Sequence, residues 1–170
     1  MSKWFARATV ALALVAGAVA ACGQLMFYTS NEGRFSVQFP VGEVKQDTEQ
    51  VNLKGGDTTT LHEFWVEQGE GNISYMVMYS DYPPDYANRE PQQVLAGTRD
   101  GAVKNKTLLS DIEISLNGVP GREFTAKDDN WNYTVRQYLK GKRLYQLIVV
   151  SNHDHPAVFI SDYLNSFKIF

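Results

Sequence analysis

The chain has 170 residues, 44% of them hydrophobic and 12% aromatic, with a formal charge of −3. That length suits a single domain, and the apolar content suffices for a packed core and excludes a disordered chain. The acidic balance excludes the basic stripe expected of a nucleic-acid binder, and the lone cysteine excludes an internal disulfide and a zinc-finger-type metal site.

Residues 1–7 carry Lys3 and Arg7, and residues 8–21 hold no charge and end in small side chains. That run matches the apolar region of an export signal and is shorter than the ~20 residues a membrane-spanning helix needs. Val19-Ala20-Ala21-Cys22 closes it. This arrangement resembles the lipobox of bacterial lipoproteins, which implies cleavage before Cys22 and acylation of its thiol and new amino group. Acylation also removes a lone thiol that would be a liability in an oxidising compartment, and several acyl chains make a stable anchor. Residues 1–21 are therefore expected to be a signal peptide, and residues 22–25 a lipidated tether. Removing Lys3 and Arg7 leaves 14 basic against 19 acidic side chains, which argues against electrostatic attachment to anionic lipid. Gly23 in place of aspartate favours the outer membrane, by analogy with enterobacterial sorting and where the organism has one.

From residue 26 the pattern changes to short strands. Residues 26–29 and 34–39 are separated by the turn Ser30-Asn31-Glu32-Gly33, and Phe35, Val37 and Phe39 alternate with polar residues. Residues 44–53 are an edge-strand candidate. Residues 58–67 and 73–82 form the next pair. In the second of these, Ile73, Tyr75, Val77 and Tyr79 share one face and Met76 and Met78 the other, as in a central strand covered on both sides. After Pro83-Pro84 a helix is expected at about 90–104, opened by Pro91, with Val94, Leu95, Thr98 and Ala102 on one stripe. Gly97 and Gly101 cost it stability and suggest close packing on the sheet.

Residues 108–116 and 122–127 flank Asn117-Gly118, a strong hairpin signal. Residues 131–139 alternate, and residues 144–150 are apolar nearly throughout, which marks another central strand. A closing helix is expected at 156–167, with Phe159, Ile160, Tyr163, Leu164 and Phe167 as its stripe. The order strands, helix, strands, helix predicts one α+β domain over residues 26–170, with a mainly antiparallel sheet of six to eight strands covered by two helices.

Four segments carry a resemblance: residues 32–40 (Glu-Gly-Arg-Phe-Ser-Val-Gln-Phe-Pro), 118–124 (Gly-Val-Pro-Gly-Arg-Glu-Phe), 143–147 (Arg-Leu-Tyr-Gln-Leu) and Ser166-Phe167-Lys168. Across roughly residues 26–170 they resemble the small exported bacterial domains related to PsbP and Mog1. The resemblance implies a layered sandwich with a central antiparallel sheet between helices. Known members include a photosystem-associated extrinsic subunit and a binder of a small GTPase, so the implied role is an interaction scaffold without shared chemistry.

The candidate chemistry is thin. His153-Asp154-His155 could ligate zinc or copper, but a third ligand is needed and the only other histidine, His62, lies on a distant strand. The plainer expectation is that Asp154 or His155 caps the last helix ahead of Pro156. No serine sits in a nucleophile elbow, and Ser151 with His153 would make only a chance triad. Asp128-Asp129 and Asp81 are read as turn residues rather than paired acids. Tyr79, Tyr82 and Tyr86, with Pro83 and Pro84, form an aromatic cluster at a strand end and are the candidate partner surface. No cofactor is implied. The functional expectation is a non-enzymatic envelope lipoprotein, held on a membrane through Cys22 and binding an unidentified protein. A small-ligand or metal-binding domain near His153 and His155 is the alternative, and a hydrolase is third.

Overall fold

A computed structural model of the chain describes residues 24–53 and 56–170. Cys22 and the signal segment lie outside the described residues. Ten strands among those residues sort into two antiparallel sheets. The small sheet joins β1 (Leu25–Ser30), β2 (Phe35–Pro40) and the terminal β10 (Lys168–Ile169), with β2 in the middle. The large sheet takes β3 (Lys45–Asn52), β4 (Thr58–Gln68), β5 (Ile73–Asp81), β6 (Thr107–Leu116), β7 (Val119–Lys127), β8 (Trp131–Lys140) and β9 (Arg143–Asn152) in the order β3-β4-β5-β9-β8-β7-β6.

The two strands expected to be central are central: β5 and β9 are neighbours in the middle of the large sheet. Alternation along them builds two different layers. Tyr75, Val77, Tyr79, Tyr145, Leu147 and Val149 face the small sheet, where Phe35, Val37 and Phe39 of β2 meet them in the main core. Side chains one residue out of phase, such as Leu144 and Leu139, point the other way and pack under α1 (Pro91–Ala102), against Val94 and Leu95. Glu90 caps α1 by accepting from Gln93 N at 2.8 Å, and Pro91 takes the first helical position, where no amide donor is required. Arg99 ties the helix to Asp111 of β6, which also accepts from Arg122 of β7. The Asn117-Gly118 hairpin forms as its sequence demands, with φ of 50° and 83°.

Three expectations change. A single sheet was expected, but the β1–β2 hairpin leaves it and packs across its face. Its one apolar face can be buried only against another layer, and β3, polar and exposed along most of its length, closes the large sheet at that edge. The closing helix is α2 (Ile160–Asn165), six residues rather than the expected 156–167. Phe159 precedes it in the left-handed region at φ 55° with no side-chain cap, so neither Asp154 nor His155 caps it. Beyond it, residues 168–169 leave the helical path to pair with β2, while Phe167 still reaches the core. The Gly97 and Gly101 pair was expected to let the helix sit close on the sheet. A Cβ at either position would meet nothing within 4 Å, so the pair faces open space.

Glycine is required elsewhere. At Gly121 a Cβ would lie 2.7 Å from the Gln137 carbonyl oxygen and 2.5 Å from the Tyr138 ring. Gly121→Ala should therefore lower the melting temperature, with a cost of about 1–3 kcal/mol for overpacking. Gly101→Ala should raise stability by about 1 kcal/mol, the helix-propensity difference, since nothing opposes the added methyl. Chemical denaturation of both variants beside the wild type checks the opposite signs.

Candidate functional site

One concavity lies on the α1 side of the large sheet. Its wall begins where β5 ends. Tyr82 N donates to Lys142 O at 2.9 Å, which holds the chain beside the β8–β9 turn before Pro83 and Pro84 break the strand. Residues Pro84–Asn88 then form a 3-10 turn, with Tyr86 N donating to Pro83 O and Arg89 N to Tyr86 O. The turn stacks Tyr86 on Tyr82, with ring centroids 4.7 Å apart and planes 24° from parallel. The Arg89 guanidinium lies over the Tyr86 ring, 3.8 Å from its centroid, so Tyr86 has both an aromatic and a cationic neighbour.

Across from this stack lie the end of β3, with Asn52 and Leu53, and one face of α1, with Gln93, Val94, Gly97 and Thr98. Together they enclose a cleft of about 440 Å³. A second cleft of about 290 Å³ shares Leu53, Tyr82 and Thr98 with it and runs over the sheet past Thr59, Leu61, Leu144 and Gln146. Thr98 Oγ1 donates to the buried Gln137 Oε1 at 2.8 Å, which fixes a polar point beneath α1. The arrangement offers an aromatic wall, an apolar floor and a few hydroxyl and amide groups, suited to non-covalent binding. Burial pushes the Tyr82 hydroxyl pKa up, so it stays a neutral phenol.

The residues singled out in the sequence fall in different places. Tyr79, 2% exposed, lies in the main core on the opposite face of the sheet, stacked on His62 at 4.4 Å, and burial pushes its hydroxyl up to about 12. Tyr82 is 9% exposed. An open ridge of three tyrosines therefore does not form: strand alternation turns Tyr79 inward, and Tyr86 covers Tyr82. Only Tyr86 remains half-exposed, at the cleft mouth. Leu53, Arg89, Gln93, Gly97 and Thr98 were not anticipated there. A hint was present in Gly97, a poor helix former at a position where packing does not ask for glycine.

His153, Asp154 and His155 are exposed in a turn after β9, where His153 N donates to Asn130 O and Asp154 N to Asn152 Oδ1. No third ligand approaches, and no group of three or more His, Cys, Asp or Glu among the described residues could hold a metal ion. Ser151 is buried within the sheet between Ile73 and Asn132, whereas His153 is exposed. Asp128 is a turn residue, accepting from Asn130 N, Trp131 N and the Tyr133 hydroxyl. That set holds its carboxyl below the ordinary range, the Tyr133 hydrogen bond contributing most. Asp81 is not a turn residue. It ends β5 and accepts two bonds of 2.7 Å from Arg143 of β9, whose Nη1 also donates to Glu32 O at 2.8 Å. Hydrogen bonding from Arg143 holds the Asp81 carboxyl below its usual value.

The architecture is a PsbP-like α+β fold. Among solved structures it is similar to PsbP (CyanoP) from Synechocystis sp. PCC 6803 at a TM-score of 0.55 and 14% sequence identity, over 91% of this chain and 96% of that one. No family model matches the sequence, and no curated protein matches it.

Two outcomes follow from this geometry. Tyr82→Ala should cost about 3 kcal/mol as a core truncation, and Tyr86→Ala about 1 kcal/mol or less, measured by thermal denaturation. Asp81, with its folded pKa lowered, contributes stability that is present above the unfolded carboxylate range and lost as pH falls through the folded value. Asp81→Asn should therefore melt lower than wild type near pH 7, and the gap should close as both are taken into acid.

Proposed function

We propose that the chain is an envelope lipoprotein, acylated at Cys22, whose mature domain is a non-enzymatic module that binds another protein or supports assembly of a complex. The observation that carries the anchor is Val19-Ala20-Ala21-Cys22 behind an uncharged run of small and apolar residues. Gly23 favours the outer membrane where the organism has one. The binding role is supported by the Tyr82–Tyr86–Arg89 stack and the cleft beside it, which present a rigid aromatic edge at the surface. Rigid aromatic side chains give contact area at low entropic cost. The PsbP-like fold is compatible with that role and does not by itself specify it.

A second reading has the same cleft take a small ligand, favoured by its volume of about 440 Å³, within the usual range for such sites. That cleft replaces the neighbourhood of His153 and His155 as the place where a ligand would bind.

Cys22→Ala should abolish lipid labelling of the chain and release it from the membrane fraction. Continued sedimentation and unchanged processing of that variant would overturn the anchor. A photo-crosslinker at position 86 in the full lipoprotein should give a discrete protein adduct in native membranes. Absence of any adduct, with a small molecule co-purifying instead, would transfer the cleft to the ligand reading.

A further inference from the structure

The small sheet turns one face away from the main core. Directly opposed residues of antiparallel strands point to the same side, so the register sorts this sheet into two faces. Met26 with Phe39, Tyr28 with Val37, and Ser30 with Phe35 and Ile169 point inward. Phe27 with Gln38, and Thr29 with Ser36 and Lys168, point outward, while Pro40, opposite Leu25 at the strand end, is buried. On that outward face Phe27 is 79% exposed. Val41, 56% exposed, is joined to the start of β1 by its amide, which donates to Gln24 O at 2.9 Å. Phe27 is the most exposed large hydrophobic side chain among the described residues, and Val41 adds an exposed aliphatic at the same end of the hairpin.

Charge points the same way. The three strands of the small sheet, LMFYTS, FSVQFP and KI, contain no carboxylate in a chain with 19 acidic side chains. Lys168 is their single charge, on the outward face beside Ser36 and Thr29. The acids nearest in sequence, Glu32 and Glu43, lie beyond the ends of β1 and β2.

Chain length then decides what covers this face. Leu25 is three residues after Cys22, a span of at most roughly 11 Å of extended chain, and Phe27 is within roughly 18 Å. We infer that Phe27, Val41 and the outward edge of β1 seat on the bilayer in which the acylated Cys22 is anchored, so that the domain lies against the membrane with a fixed face instead of swinging on its tether. This rests on the anchor reading above.

Partitioning cannot test it, because several acyl chains hold the protein on the membrane whatever Phe27 does. The test uses the full lipoprotein in vesicles of phosphatidylethanolamine and phosphatidylglycerol, with a spin label on Phe27→Cys, Val41→Cys or, as control, Ile112→Cys on the edge strand β6. Ile112 is exposed and apolar but belongs to the large sheet. All three positions are exposed, so the variants should keep the wild-type melting temperature; a label at 27 is read only in protein that does. Cys22 itself should refuse the label when acylated, and labelling there, or release from vesicles, marks failure of the anchor and is distinct from failure of the seat. With the protein vesicle-bound, labels at 27 and 41 should relax with lipid-soluble oxygen at least several-fold more than with a water-soluble nickel chelate, and the label at 112 the reverse. Equal water accessibility at 27 and 112 would overturn the inference. So would a label at 27 shielded from both reagents in native membranes, which would mean that a protein covers the face.

Discussion

The turn at residues 31–34 brings the small sheet down on the large one, and the contact depends on Gly33 having no side chain. A Cβ there would lie 2.6 Å from the Phe35 ring and 2.8 Å from that of Tyr79. Because it is absent, β9 can cap the turn directly: the Tyr145 hydroxyl donates to Gly33 O at 2.8 Å and Arg143 to Glu32 O. The same arginine is clamped to Asp81 on β5, so the turn is referenced to both central strands at once. Arg34 accepts the last amide of the chain, from Phe170, which brings β10 to the open edge of β2. With the turn in place, Phe35 is inserted among Phe64, Tyr79, Tyr145 and Phe167, with ring centroids between 5.6 and 6.4 Å, a spacing at which tilted aromatic pairs attract.

This docking explains why so many tyrosines are interior. A layer formed by two crossing sheets has to be filled by long side chains, and two of their hydroxyls bond across it, while the buried Tyr79 hydroxyl has no hydrogen-bond partner. Tyr145 reaches Gly33 O, and Tyr163 of α2 reaches Met76 O at 2.5 Å across the interface. The first bond ties the hairpin backbone to a side chain of the large sheet, and the second ties the short helix to that sheet's backbone. The polar tips therefore fix the position of one layer on the other, while the rings supply the buried area.

The four sequence segments that signalled the fold are the parts of this lock. Residues 32–40 are the turn and β2, residues 143–147 supply Arg143 and Tyr145, Ser166 accepts from Gln38 N, and Gly121 is where β7 meets Tyr138 with no room for a side chain. Strand existence and centrality could be read because alternation and two-sided hydrophobicity are local properties of the chain. What could not be read was non-local. Nothing in residues 26–39 distinguishes a hairpin that joins a sheet from one that crosses it, since both bury one face. The helical stripe at 159–167 persists in sequence, yet Phe159 turns left-handed and Phe167 serves the core from beyond the helix end. The tyrosine cluster was legible as aromatic and rigid, but exposure at a strand end depends on parity. Tyr79 and Tyr82 are three apart and so point to opposite faces of the sheet. The cleft is the least legible part, because it is assembled from the end of β3, the 3-10 turn and a face of α1 that share no sequence pattern.

Parity also relates the two proposed surfaces to each other. The small sheet covers the face of the large sheet that carries Tyr75, Val77 and Tyr145, and α1 covers the face that carries Leu144 and Leu139. The outward side of the small sheet and the cleft beside α1 therefore lie on opposite sides of the same central layer. On the proposed seating, with Phe27 at the lipid surface, the Tyr86 edge faces away from the membrane, with the small sheet, the main core and the large sheet between them. A tether alone would let the domain rotate and present either surface to lipid. A seat that uses the outward face of β1 holds the cleft toward the aqueous side, where a soluble or neighbouring protein can reach it. The two surfaces need not communicate for this to matter: orientation alone restricts the approach a partner must make, and lowers the rotational entropy lost when it docks.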